Sequence, residues 1–162
     1  MSQGKLAFPL RVPFVETLGF ELWAFGGGHA ELRVNLEEAH LNSWEVAHGG
    51  VLMTLLDVAM AHAARSPQGA NAELGPGVAT IEMKTTFMRA AEGPLRAEGH
   101  LLHRTVTLAF CEGSVFDESG ALCAHATATF KYLRALPTRS RQAKELQRAV
   151  GDGEPEGEAG GS

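Results

Sequence analysis

Two cysteines, Cys111 and Cys123, are the only thiols in 162 residues. They make neither a disulfide framework nor a Cys-x-x-Cys metal motif. Both fall in strand-like segments, where a buried free thiol is the ordinary state. A reducing, cytoplasmic compartment is the expectation. Aromatic residues are scarce as well, 7% against 44% hydrophobic residues in all, so the core must be mostly aliphatic. Positive charge is not in excess: 14 Lys and Arg face 19 Asp and Glu, for a formal net charge of -5. Four of the acids (Asp152, Glu154, Glu156 and Glu158) sit in the last twelve residues, which leaves a nearly neutral body. Proteins that read a nucleic-acid backbone usually carry a basic footprint, and with none here no nucleic-acid partner is expected. No apolar run is long enough for a bilayer. The longest, Val51 to Ala64, is interrupted by Asp57 and His62, and no membrane partner is expected. The opening residues lack an apolar stretch ended by a small-residue cleavage site, so no secretion signal is expected.

What is present reads as one α+β domain over residues 1–136. Residues 8–20 predict a capped turn or short helix with Pro13 near its start. Two strands follow, joined at Gly26-Gly27-Gly28; on the second, Ala30, Leu32 and Val34 alternate with Glu31, Arg33 and Asn35. One long helix is predicted from Val51 to Arg65, apolar nearly all round and therefore buried on most sides. Four more strands follow, with Asp117-Glu118-Ser119-Gly120 a hairpin turn between the last two. In the last strand Leu122, Ala124, Ala126, Ala128 and Phe130 are expected on one face, and Cys123, His125, Thr127, Thr129 and Lys131 on the other. An antiparallel sheet of about six strands around a single central helix satisfies this order. Residues 137–162 are expected to be a C-terminal extension, disordered at its acidic Gly/Glu end.

Chemistry is best sought around that helix. Asp57 has no basic neighbour three or four positions away. An unpaired carboxylate is costly to bury and often functional, but periodicity alone equally allows a solvated stripe. Gly49 and Gly50 open the helix, so their N–H groups lack intrahelical partners. Glycine permits close approach of a ligand, and the helix dipole favours developing negative charge there, which is what an oxyanion hole requires. The plainer alternative is a tight turn in which His48 makes a local hydrogen bond.

The run Asn42-Ser-Trp-Glu-Val-Ala-His48-Gly49-Gly50-Val-Leu-Met-Thr-Leu-Leu-Asp57 resembles the active-site segment of hotdog-fold acyl-CoA thioesterases of the phenylacetate-degradation (PaaI-like) type. An Asn stands six residues before the His of the HGG turn and an acid nine after it, as in that family. Val78 to Arg89 resembles the strand that leaves the helix, and Leu108-Ala109-Phe110 with the DESG turn resembles the last strand pair. The resemblance spans roughly Pro13 to Leu133. It implies a hotdog fold and hydrolysis of a thioester, aromatic such as phenylacetyl-CoA or short to medium in its acyl chain, to free acid and coenzyme A. Asp57 would be the general base or the nucleophile, and Gly49 would offer its N–H to the carbonyl oxygen. Asn42 and Thr80 would orient water or the carboxylate, and His48 would hold the Asn42 loop. Gly50, Arg89 and Arg104 would bind substrate, although strand-end arginines are ordinarily just solvated. No cofactor is implied, because coenzyme A enters as part of the substrate.

Geometry adds a requirement. Eight residues of helix separate Gly49 from Asp57, about 12 Å at the α-helical rise. If both serve one substrate they must come from different chains, so a homodimer is expected, alone or within a homotetramer. A non-catalytic acyl-CoA sensor on the same fold is the alternative, and a structural domain in which Asn42, HGG and Asp57 only shape loops is another. The histidines show no zinc spacing, and His100 and His103 are expected on opposite faces of their strand. No metal site is expected.

Overall fold

The computed structural model describes residues 4–134, so the expected C-terminal extension lies outside the described residues. The chain opens with helix α1 (Pro13–Thr17), with Pro13 in its first turn as expected. Strands β1 (Glu21–Gly26) and β2 (His29–Asn35) then form a hairpin around Gly27 and Gly28, whose φ angles of 60° and 79° suit glycine. A short 3-10 turn (Glu38–His40) leads to α2 (Gly49–Arg65). Strands β3 (Gly77–Phe87), β4 (Pro94–Arg104), β5 (Leu108–Phe116) and β6 (Leu122–Leu133) complete the chain.

All six strands join in one antiparallel sheet of order β1-β2-β4-β5-β6-β3. The sheet wraps α2, and this is the hotdog arrangement of α+β class. The crossover through α2 carries the chain from β2 to the far edge, which leaves β3 outermost. The core is aliphatic, as the composition requires: Leu22, Leu32, Leu55, Leu56, Met60, Leu95 and Val115 are fully buried, with Phe130 the one large aromatic among them. Small residues let α2 sink into the sheet. A Cβ at Gly99 would lie 2.4 Å from the Ala59 carbonyl oxygen, so only glycine fits where β4 crosses the helix. No helix among the described residues is long and apolar enough to cross a membrane.

Single-residue bulges break the strict alternation in three places that matter. In β6 the register slips between its pairings with Val115 and Phe116, which leaves Cys123 as the extra residue. Cys123 is therefore buried along with Ala124, Ala126, Ala128 and Phe130, as expected of a free thiol, although strict alternation groups it with His125 and Thr127 on the other face. In β4 the slip between Leu101 and His103 has a second corrective effect. His103 pairs with the outward Phe110 and shares the outer face with His100, contrary to the expectation of opposite faces. The third slip, in β3 at Ile81, shapes the candidate site.

Candidate active site

Asp57 lies in the third turn of α2, half-buried between the helix and β3. The hydroxyl of Thr80 donates to Asp57 Oδ1 at 2.7 Å. Burial pushes the Asp57 carboxyl above its ordinary value, and the hydrogen bond from Thr80 offsets part of that rise. The fully solvated stripe is thus not where Asp57 resides. The β3 bulge contributes directly. Thr80 pairs with Phe130 and Met83 with Ala128, both inward-facing partners, so the extra residue at Ile81 lets Thr80 and Met83 face the helix together.

A pocket of about 400 Å³ opens at this carboxylate, lined by Asp57 and Thr80 and by apolar groups from Val12, Phe14, Met53 and Met83. Sequence reasoning missed these walls. Met53 could have been found, because it precedes Asp57 by one helical turn. Phe14, 61% exposed on α1, gives no sequence signal beyond being an apolar residue.

At the amino end of α2 the His48 side chain makes the local hydrogen bond that a tight turn allows. Its Nδ1 accepts the Gly50 N–H at 2.9 Å, so the imidazole caps the helix. The backbone N–H of His48 donates to the His40 carbonyl at 2.8 Å, which ties this corner to the 3-10 turn. Gly50 therefore has its amide committed within the chain. Gly49 N–H is the amide at this terminus left to meet a ligand among the described residues, and the Phe87 ring lies 3.4 Å from where a Gly49 Cβ would stand. Asn42 Oδ1 accepts from Trp44 N–H at 2.9 Å and Val46 N–H at 3.4 Å, so this oxygen closes its own loop. Glu45 takes a φ of 60° within that turn.

Within one chain Asp57 and Thr80 meet, and Gly49, His48 and Gly50 cluster one end of the helix away. The unbroken helix keeps Gly49 and Asp57 about 12 Å apart along the axis. The two arginines do not converge. Arg104 pairs with Ala109, in the row that runs through Phe130 to Thr80, whereas Arg89 lies beyond Phe87 at the other end of β3. From Thr80 to Phe87 alone the strand extends about 23 Å.

The family model for the thioesterase superfamily matches residues 45–124, the stretch that carries the HGG turn, Asp57 and Thr80. The phenylacetic acid degradation-related protein of Ralstonia eutropha JMP134 is 30% identical, over 75% of this chain and 91% of its own, with a TM-score of 0.65. This chain belongs to the thioesterase superfamily. The conserved protein PA5202 of Pseudomonas aeruginosa is 29% identical, with a TM-score of 0.69 over 77% of this chain and 97% of that one. The phenylacetic acid degradation protein PaaI of Thermus thermophilus, in a mutant form, is 25% identical over 75% of this chain and 100% of that one, with a TM-score of 0.66.

Proposed function

We propose that this superfamily member is an acyl-CoA thioesterase that hydrolyses its substrate to a free acid and coenzyme A at sites shared by two copies of the chain. The observation that carries the reading is the Asp57–Thr80 pair at the mouth of an apolar pocket. A sensor of acyl-CoA has no need of a carboxylate there. The pocket walls supplied by Phe14, Met53 and Met83 suit an aromatic or medium aliphatic acyl group, and the kinship with phenylacetic acid degradation proteins favours the aromatic one.

As base, Asp57 takes a proton from water while the oxygen attacks the thioester carbonyl. As nucleophile, it forms a mixed anhydride that water then hydrolyses. Either way the carbonyl oxygen gains negative charge, and the N–H of Gly49 of the partner subunit stabilises it. Collapse expels the coenzyme A thiolate, which takes up a proton. Burial raises the Asp57 pKa, which strengthens it as a base.

The dimer rests on two observations besides the helix length. β3 is an edge strand of 11 residues, long enough to pair with a second copy. Beside it Ile81, Phe87 and Met88 leave large apolar side chains in solvent, as do Phe14 and Met53 at the pocket. Pairing two β3 edges would cover them and set two α2 helices side by side.

The test is free-thiol release from phenylacetyl-, benzoyl- and hexanoyl-CoA, with wild type and Asp57→Ala in parallel. Turnover by wild type should fall by about 10²–10⁴-fold in the variant, the range of a positioned general base. Equal rates in the two proteins would remove Asp57 from the mechanism, and binding without turnover by wild type would favour the sensor.

A further inference from the structure

The sheet has a second face, turned away from α2, and it gathers side chains that the thioesterase reading does not use. Gly99 settles which side is which. It abuts the Ala59 backbone, so its neighbours Glu98 and His100 point away from the helix. His29 of β2 is the direct cross-strand partner of His100. Their rings lie 4.8 Å apart, centroid to centroid, with planes tilted by 37°. Glu98 stands on the same face, its Oε2 3.7 Å from His100 Nε2, while its Oε1 is held by Arg96.

This carboxylate is therefore oriented by one oxygen and presents the other to the histidines. Across the strand pair Glu98 faces Glu31, whose own charge is met by Arg33 at 2.6 Å. The rings of His40, His48, His62 and His125 are each engaged by a hydrogen bond. Among the described residues, His29 and His100 meet chiefly each other and the carboxylate.

We infer that His29, His100 and Glu98 form a binding site for a divalent transition-metal ion of the zinc class. One ring nitrogen from each histidine and a carboxylate oxygen of Glu98 all lie within 4.8 Å of one another. A tetrahedral ion with bonds of about 2.0–2.1 Å sets its ligand atoms about 3.3 Å apart. Rotation about the side-chain torsions of His29, His100 and Glu98 is the movement that would close that difference. Two imidazoles and one carboxylate suit zinc, nickel or copper(II), whereas calcium and magnesium take oxygen ligands. Three protein ligands leave a fourth position for water. Arg96 acts on the ligand set from outside by fixing the carboxylate. Bound there, the ion clips β2 to β4 on the side of the sheet opposite the candidate active site. Spacing along the sequence gives no hint of it, because His29 and His100 come together only through strand pairing.

The experiment uses the full, untagged chain, stripped with a chelator and titrated with zinc chloride by calorimetry, with a parallel cobalt(II) titration followed by visible absorption. One ion per chain should bind, with the d–d bands of a tetrahedral cobalt site and a rise in the thermal midpoint. His29→Ala/His100→Ala should bind zinc at least tenfold more weakly. His103→Ala/His125→Ala, which removes two other histidines of the same face, should bind as wild type does. Far-UV circular dichroism confirms that each variant is folded, and hydrolysis by all of them should match wild type. Uptake well below one ion per chain would overturn the inference. So would undiminished affinity in the His29/His100 variant, or loss of binding in the His103/His125 variant.

Discussion

Acid should destabilise this protein through a histidine far from any catalytic duty. His62 is in α2 and only 5% exposed, with the edges of Phe8 and Phe25 against it at centroid distances of 5.4 and 5.9 Å. Its Nδ1–H donates to the Val58 carbonyl at 2.8 Å, so the lone pair of the neutral ring falls on Nε2, which is buried without a partner. Burial pushes its pKa down to about 4, the Val58 hydrogen bond opposing and the nearby Arg65 charge assisting. The unfolded chain protonates this ring near pH 6.5 and the folded chain only near pH 4. Between those values the unfolded state binds the extra proton, and stability falls as the pH is lowered. A gap of about 2.5 pH units corresponds to roughly 3 kcal/mol when fully expressed, and about 2 kcal/mol of it is lost between pH 7 and pH 5. Asp57, with its raised pKa, acts in the opposite direction, because its folded form binds a proton more readily than its unfolded form. Comparison with a non-titrating variant separates the two. Urea unfolding of wild type and His62→Leu at pH 7, 6 and 5 should give a gap that moves by about 2 kcal/mol in favour of the variant as pH falls. Parallel pH dependences, within about 0.5 kcal/mol, would refute the account of His62 as a neutral buried ring.

Two further substitutions probe the packing and the site. Gly99→Ala sets a methyl group against backbone, 2.4 Å from the Ala59 carbonyl oxygen and 2.7 Å from Met60 N. With no flexible side chain to yield, it should cost about 3 kcal/mol or more in urea unfolding, and a loss below about 1 kcal/mol would show that β4 and α2 part easily. Thr80→Val keeps a β-branched residue in β3 but removes the donor to Asp57 Oδ1. The Asp57 pKa should rise further and carry the acidic limb of the kcat/KM profile to higher pH, and an unmoved limb in the folded variant would mean that Thr80 does not stabilise the working carboxylate.

Those features that depend on residues close together in the chain were legible from the sequence. The glycine turn after β1, the DESG turn before β6 and the start of α2 behind His48 each follow from local conformational preference. So does the aliphatic, nearly all-round burial of α2, which needs no partner to be read. The place of β3 at the sheet edge was not legible, because a crossover through one helix can return to either edge. The helix-capping use of the His48 imidazole was one of two readings open in the sequence, because HGG allows it but does not demand it.

The deeper reason lies in the bulges. Alternation assigns faces only while every residue of a strand has a partner, and one extra residue reverses all later assignments. Such a residue at Leu102 moves His103 to the outer face. One at Cys123 buries a thiol that alternation places outside. The one at Ile81 is of another kind, because it serves the site: without it, Thr80 and Met83, three apart, would face opposite sides of β3, and Asp57 would have either its hydroxyl donor or that apolar wall. Nothing in Thr80-Ile81-Glu82-Met83 announces a bulge. The family resemblance could assign Thr80 to Asp57 because it matches residues by position and needs no account of local register. It carried nothing of the kind for His29, His100 and Glu98, which only cross-strand register brings together.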